Sequence, residues 1–156
     1  PRLLNLFHSK GGSMGLRLQA ILLKTPSNPD INMTRDVIIR CLMMYLGEST
    51  DELLKEYASF LNYVDLAVQS LKIYNIKANT SEDPDIGIVV DGMKILTALG
   101  NFPRACSLLV GLAYAVSLAY PKELRYTFEV FQKLLLGLDS SKLSPKVNSL
   151  RNKLLA

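Results

Sequence analysis

Tryptophan is absent from these 156 residues, histidine occurs once, at His8, and there are only two cysteines, Cys41 and Cys106. A lone histidine far in sequence from either thiol leaves no material for a Ser-His-Asp or Cys-His relay, so nucleophilic catalysis of that type is not expected. The same three residues lack metal-ligand spacing and make no zinc site. Each cysteine lies inside an apolar helical run, which suits a reduced core thiol and not a disulfide framework, and that favours the cytoplasm or the nucleus. No secretory leader is read, because the apolar stretch after Arg2 stops at His8-Ser9-Lys10.

Charge is missing altogether between Arg104 and Lys122. The run sits at the lower edge of a bilayer span, but Pro103, Tyr114, Tyr120 and Pro121 trim it to a helix of about fifteen residues, short for a span and suited to a domain core. No membrane, cofactor, metal or small-molecule partner is expected.

What is present is a folded composition, 49% hydrophobic and 21% charged. The length fits a single domain over residues 1–156, and a start at Pro1-Arg2 without an initiator Met reads as a piece of a longer protein. The net charge of +4 is unevenly laid out. Residues 1–45 hold six Lys and Arg against two acids, residues 46–103 four against nine, and residues 104–156 eight against three. Basic ends and an acidic middle suit complementary faces for self-docking, a basic surface for nucleic acid, or plain solvated faces.

Leu3, Leu4, Leu6 and Phe7 mark a short helix broken by Gly11-Gly12, and "SMGLRLQAILLK" a second one with Leu18, Ile21, Leu22 and Met14 inward. "TPSNPD" is a loop. Thr34 is placed to cap a third helix carrying Val37, Ile38, Cys41, Leu42 and Tyr45 on its apolar stripe, with Gly47 as its stop. Ser49 and Glu52 have capping-box spacing, so a fourth helix is predicted to turn Leu53, Leu54, Tyr57 and Leu61 inward and to pack beside the third.

From residue 68 the pattern changes. "VQSLKIYNIKA" is rich in β-formers, and "IGIVV" at 86–90 is followed by Asp91-Gly92, a hairpin pair, with Met93 to Leu96 as a return strand or, alternatively, a helix start. The expected class is therefore α+β, mainly α, with a small two- or three-stranded antiparallel sheet. Beyond Pro121, Leu124, Phe128, Phe131, Leu135 and Leu138 form a seam at steps of four and three, for which the preceding apolar helix is the nearest partner. Ser107, Gly111 and Ala115 would let another backbone approach that helix closely. Ser144-Pro145 opens a last helix with Val147, Leu150 and Leu154 on one side.

"SKGGSMG" at 9–15 invites a phosphate-loop reading, but it lacks the Walker order and no strand precedes it, so it reads as a flexible connection. Glu82, Asp83 and Asp85 lack calcium-loop spacing and read as a solvated turn.

The segment "NFPRACSLLVGLAYAVSLAYPKELRYTFEVFQKLLLGLDSSKLSPKVNSLRNKLLA", residues 101–156, resembles the C-terminal region of a fish-expanded family of uncharacterised proteins labelled similar to sterile alpha motif domain-containing proteins. The resemblance is carried by Pro103-Arg104-Ala105, "YPKELRYTFE" and "SPKV", and extends more loosely from "KGG" through "IVVDG". The matching residues lie outside the sterile alpha motif itself. The resemblance implies a module of a longer intracellular protein, preceded by an N-terminal ubiquitin-like or motif domain, and it carries over no catalytic residue.

The function expected from all this is protein–protein interaction or self-association without catalysis. The anticipated contact surface is the C-terminal helices, with Tyr126 and Phe131 as aromatic contacts among Lys122, Arg125, Lys133, Lys146, Arg151 and Lys153. The alternative is a nucleic-acid-binding module using those same basic residues.

Overall fold

The computed structural model describes residues 2–58, 63–77 and 85–156. The inward turn expected of Leu61, and the turn acids Glu82 and Asp83, lie outside them. In chain order the elements are α1 (Arg2–His8), α2 (Gly12–Leu22), α3 (Ile31–Tyr45), α4 (Thr50–Leu53), β1 (Leu54–Tyr57), α5 (Tyr63–Leu66), β2 (Leu71–Ile76), β3 (Asp85–Val90), β4 (Met93–Leu96), α6 (Phe102–Ala115), a 3-10 turn (Lys122–Leu124), α7 (Arg125–Glu129), a π-helical segment (Val130–Leu135) and α8 (Pro145–Leu155). They divide into two compact units, one made of residues 1–49 with 122–156 and the other of residues 50–121. The architecture is mainly helical with one mixed sheet.

The sheet is larger than the expected two or three antiparallel strands. Four strands lie in the order β1-β2-β3-β4, with β1 parallel to β2 and the other pairs antiparallel. The extra strand occupies part of the predicted fourth helix. Ser49 does stand just before a helix, but α4 lasts a single turn and the chain then extends as β1. Leu54 and Tyr57, three apart, imitate a helical face. In β1 they point to opposite sides of the sheet, and both are buried because both sides are covered. Tyr57, Leu66, Tyr74, Ile76 and Val89 form an apolar cluster on one side. The residues that alternate with Tyr74 and Val89, among them Ile73 and Ile88, are buried on the other, and α6 packs on β2 and β3.

The hairpin is as read. Asp91 (φ 47°) and Gly92 (φ 76°) both take the left-handed conformation of a two-residue turn, and Met93–Leu96 is the return strand and not a helix start. A side chain at Gly92 would stand 2.3 Å from the Ala67 carbonyl oxygen.

In the helical unit α1 packs on α2, α3 and α8, α2 on α3, and α7 on α8. The cap of α3 is Asp30 and not Thr34: its carboxylate accepts from the Met33 amide at 2.8 Å, and Thr34, one turn in, donates its hydroxyl to the Asp30 carbonyl. Gly47 closes α3 as expected, at φ 75°, with the Glu48 amide reaching back to the Met43 carbonyl at 2.9 Å. Gly15 has a steric role: a Cβ there would lie 2.2 Å from the Lys10 carbonyl oxygen, so this glycine of "KGGSMG" serves chain packing.

The predicted seam after Pro121 holds for its first half. Leu124, Phe128 and Phe131 are buried, the two rings edge to face at 6.4 Å. The chain then changes period: the Leu136 amide bonds back five residues, to Phe131, and Leu135 emerges 59% exposed where a 3.6-residue repeat would have kept it inside. The partner of α6 is the sheet, and that of α7 is α8.

Candidate interaction surfaces

The helix that carries the uncharged run ends earlier than Pro121. Asn101 caps α6 by accepting from the Arg104 amide at 2.9 Å. At the other end Ser117 takes φ 52° and Leu118 donates back to the Ala113 carbonyl, a closing turn in which serine stands where glycine is usual. Among the described residues no helix is long and apolar enough to cross a membrane. Phe102, Ala105, Cys106, Leu109, Val110 and Ala113 are buried. The opposite face is not: Ser107, Gly111 and Ala115 are exposed, with Leu108 at 38%, Tyr114 at 56% and Val116, just past the helix, at 57%. A Cβ on Gly111 would meet nothing within 4 Å. Burial, together with the neighbouring Tyr114, pushes the Tyr120 phenol up from its ordinary value.

The aromatic contacts expected on the C-terminal helices are placed differently from each other. Phe131 is 6% exposed and belongs to the core. Tyr126 is half-buried, with the Arg125 guanidinium 4.3 Å and the Lys146 ammonium 4.5 Å from its ring centre; Arg125 also donates to its hydroxyl. Lys146 donates in addition to the Leu46 carbonyl at 2.9 Å, at the C-terminal end of α3, where a cation meets the negative end of the helix dipole. One residue earlier, Tyr45 accepts from Lys153 at 3.1 Å and has Lys10 at 5.3 Å from its ring centre. No sequence pattern announces Tyr45 or Lys10 in this group, since one is a stripe residue of α3 and the other a loop residue. Arg2 donates to the Leu154 carbonyl at 3.2 Å.

Of the remaining expected residues, Lys133 turns its ammonium onto the Lys142 carbonyl, and Lys122 and Arg151 are exposed. Arg151 stands five residues from Lys146 and so points about 140° round α8, away from the Lys146–Lys153 edge.

Two carboxylates of this unit are turned onto backbone amides of other elements, while Asp36 pairs with Arg40, and Glu123 and Asp139 are exposed. Glu48 accepts from the Tyr126 and Thr127 amides, each at 2.8 Å, and from the Thr127 hydroxyl at 2.6 Å. It thereby caps α7 from a residue 79 positions away from Thr127, a polar side chain with no exposure at all. Glu129 accepts from the Ser144 amide at 2.6 Å where α8 begins. In the sheet unit the lysines face carboxylates: Lys55 meets Asp65, Lys72 meets Glu52, Lys77 meets Glu56 and Lys94 meets Asp85. Asp65 also accepts from the Tyr57 hydroxyl at 2.9 Å and Asp85 from the Tyr74 hydroxyl at 3.0 Å.

Both cysteines are buried, and burial pushes the Cys41 thiol up to about 11, far from a reactive thiolate. His8 donates from Nδ1 to the Leu4 carbonyl at 2.8 Å, since a carbonyl can only accept. Among the described residues no group of three or more His, Cys, Asp and Glu could hold a metal ion. Compared with known proteins, the chain matches no family model, no curated protein and no solved structure.

Proposed function

We propose that this chain acts by binding protein, its own copies included, and not by catalysis, as a module of an intracellular protein of the kind its resemblance implies. One observation carries the reading. The outward face of a surface helix ordinarily holds charged residues, whereas the outward face of α6 has none between Arg104 and its end at Ala115 and offers Leu108, Tyr114 and a ridge of small residues instead. Tyrosine with apolar neighbours is the composition of an interface centre. Small residues at 107, 111 and 115 lower the steric barrier to a second backbone.

The test is size-exclusion chromatography with light scattering at two concentrations, on the whole chain and two variants. A dimer is expected that Tyr114→Lys reduces to monomer with thermal unfolding almost unchanged. Gly111→Ala is expected to stabilise the fold by about 0.5–1 kcal/mol, because no neighbour within the chain requires the glycine. A monomer at both concentrations removes self-association. A Tyr114→Lys chain that unfolds makes that ring part of the core and removes the surface.

A further inference from the structure

We infer that the Lys146–Lys153 edge of α8, with Arg125 and Lys10 beside it, is a docking surface for the phosphate backbone of a nucleic acid. The inference is independent of the α6 reading and uses the other unit of the chain. Residues 1–49 and 122–156 together hold thirteen Lys and Arg against six Asp and Glu, a net charge of +7, while residues 50–121 hold five against eight, a net charge of −3. The two basic ends of the sequence therefore fold into one body, and the charge of the whole chain understates its local field.

The partners of these cations matter more than their number. A lysine facing a carboxylate is neutralised locally, and that is the arrangement of the four lysines in the sheet unit. Lys146 and Lys153 are held by the Leu46 carbonyl and the Tyr45 hydroxyl, Lys10 and Arg125 by tyrosine rings. Neutral acceptors fix the position of a cation without cancelling its charge. The nearest carboxylate in sequence to the Leu46 carbonyl, Glu48, is turned onto the start of α7. Lys146 and Lys153 are exposed and seven residues apart on one helix, which sets them about 10.5 Å from each other along one side.

A row of fixed cations with no ion-pair partner among the described residues is what a polyanion of regular charge spacing requires, and tyrosines among them are the usual companions of backbone-tracking cations. A protein partner would in addition need an apolar centre to bury, and this edge is built of charged groups and phenols.

The test uses the whole chain and fluorescein-labelled oligonucleotides of about 20 nucleotides, single-stranded and duplex, with anisotropy read between about 50 and 200 mM KCl. Binding is expected to weaken linearly in log K against log salt with a slope of about −3, as four phosphate contacts predict. Lys153→Gln should reduce the slope by about 1, and Lys146→Gln with Lys153→Gln by about 2, with at least a roughly tenfold loss of affinity at low salt. The single variant guards against a folding defect, since Lys146 also holds the end of α3, and thermal unfolding of both is compared with the parent. Lys55→Gln with Lys77→Gln, in the sheet unit, should leave binding as it was. No binding at about 50 mM salt overturns the inference, and so does an equal loss from the sheet-unit pair. Competition by polyglutamate as strong as by unlabelled oligonucleotide also overturns it and assigns the edge to acidic proteins.

Discussion

The two units of this chain put their acids to different main uses. In the sheet unit, acids and lysines meet each other across the surface, and two of the acids also take a tyrosine hydroxyl. Such exposed pairs contribute little stability each, roughly 0–1 kcal/mol, but they set a carboxylate beside every lysine of the unit. In the helical unit, Asp30, Glu48 and Glu129 satisfy backbone amides at the starts of α3, α7 and α8, Arg40 pairs with Asp36, and Lys146, Lys153, Lys10 and Arg125 are held by carbonyls, a hydroxyl and rings. Short helices have many orphan amides for their length, and three of this unit's six acids are used on them. Its charge is positive because it holds thirteen Lys and Arg against six acids, and the capping acids are not spent on its Lys146–Lys153 edge.

The comparison can be broken first at the sheet. Gly87 sits where a Cβ would lie 2.2 Å from the Leu96 carbonyl oxygen and 2.4 Å from the Tyr74 hydroxyl. Neither can yield easily, because Leu96 is paired with Ile88 in the sheet and Tyr74 is fully buried with its hydroxyl on Asp85. Gly87→Ala should cost about 3 kcal/mol or more, the largest effect expected of any change discussed. Urea unfolding measures it, and native-state hydrogen exchange should locate the loss in β2 and β3 amides. A loss below about 1 kcal/mol would mean that the strands part without cost and that the sheet is not the rigid base of α6.

Glu48→Ala tests the helical unit. It leaves the Tyr126 and Thr127 amides and the Thr127 hydroxyl without their shared acceptor. An unsatisfied buried group costs about 1–3 kcal/mol, so a loss near 2 kcal/mol is expected, with Glu48→Gln recovering part of it through one remaining oxygen. A loss no greater than that of an ordinary surface substitution would show that water replaces the carboxylate and that the internal use of acids is incidental.

These same features decide how much of the molecule could be read beforehand. Local signals were legible: the cap Ser144 stands before the helix it opens, Asp91-Gly92 forms the hairpin, and Gly47 ends α3, though the cap of α3 is Asp30 and not Thr34. Two expectations fail for a common reason: a spacing of three or four does not by itself make a helix. Leu54 and Tyr57 satisfy it in a strand covered on both sides, and Leu135 satisfies it in a segment whose period is longer than 3.6. The candidate surfaces were legible in part. The absence of charge over α6 and the lysines of α8 stand in the sequence, but which face of α6 is left outward depends on the sheet. The Glu48 cap joins residues 79 apart, and no local pattern announces it.

The finest distinction between the units is their response to alkali. Burial raises Cys41, in the helical unit, from 9.0 to about 11. Burial first, and then the hydrogen bond and charge of Asp65, raise Tyr57, in the sheet unit, from 10.0 to about 12. Both groups are neutral when protonated, so the unfolded chain releases the proton at the ordinary value while the folded chain still holds it. The stability each contributes is fully present below the ordinary value and is lost as pH rises from there to the raised one. The Cys41 loss therefore begins near pH 9 and the Tyr57 loss about one unit later, each on the order of 2 kcal/mol when complete. Urea midpoints between about pH 8 and 11 should show Cys41→Ala flattening the earlier part of the decline and Tyr57→Phe the later part. Profiles parallel to the parent in both variants would place the alkaline loss in other groups and erase this difference between the units.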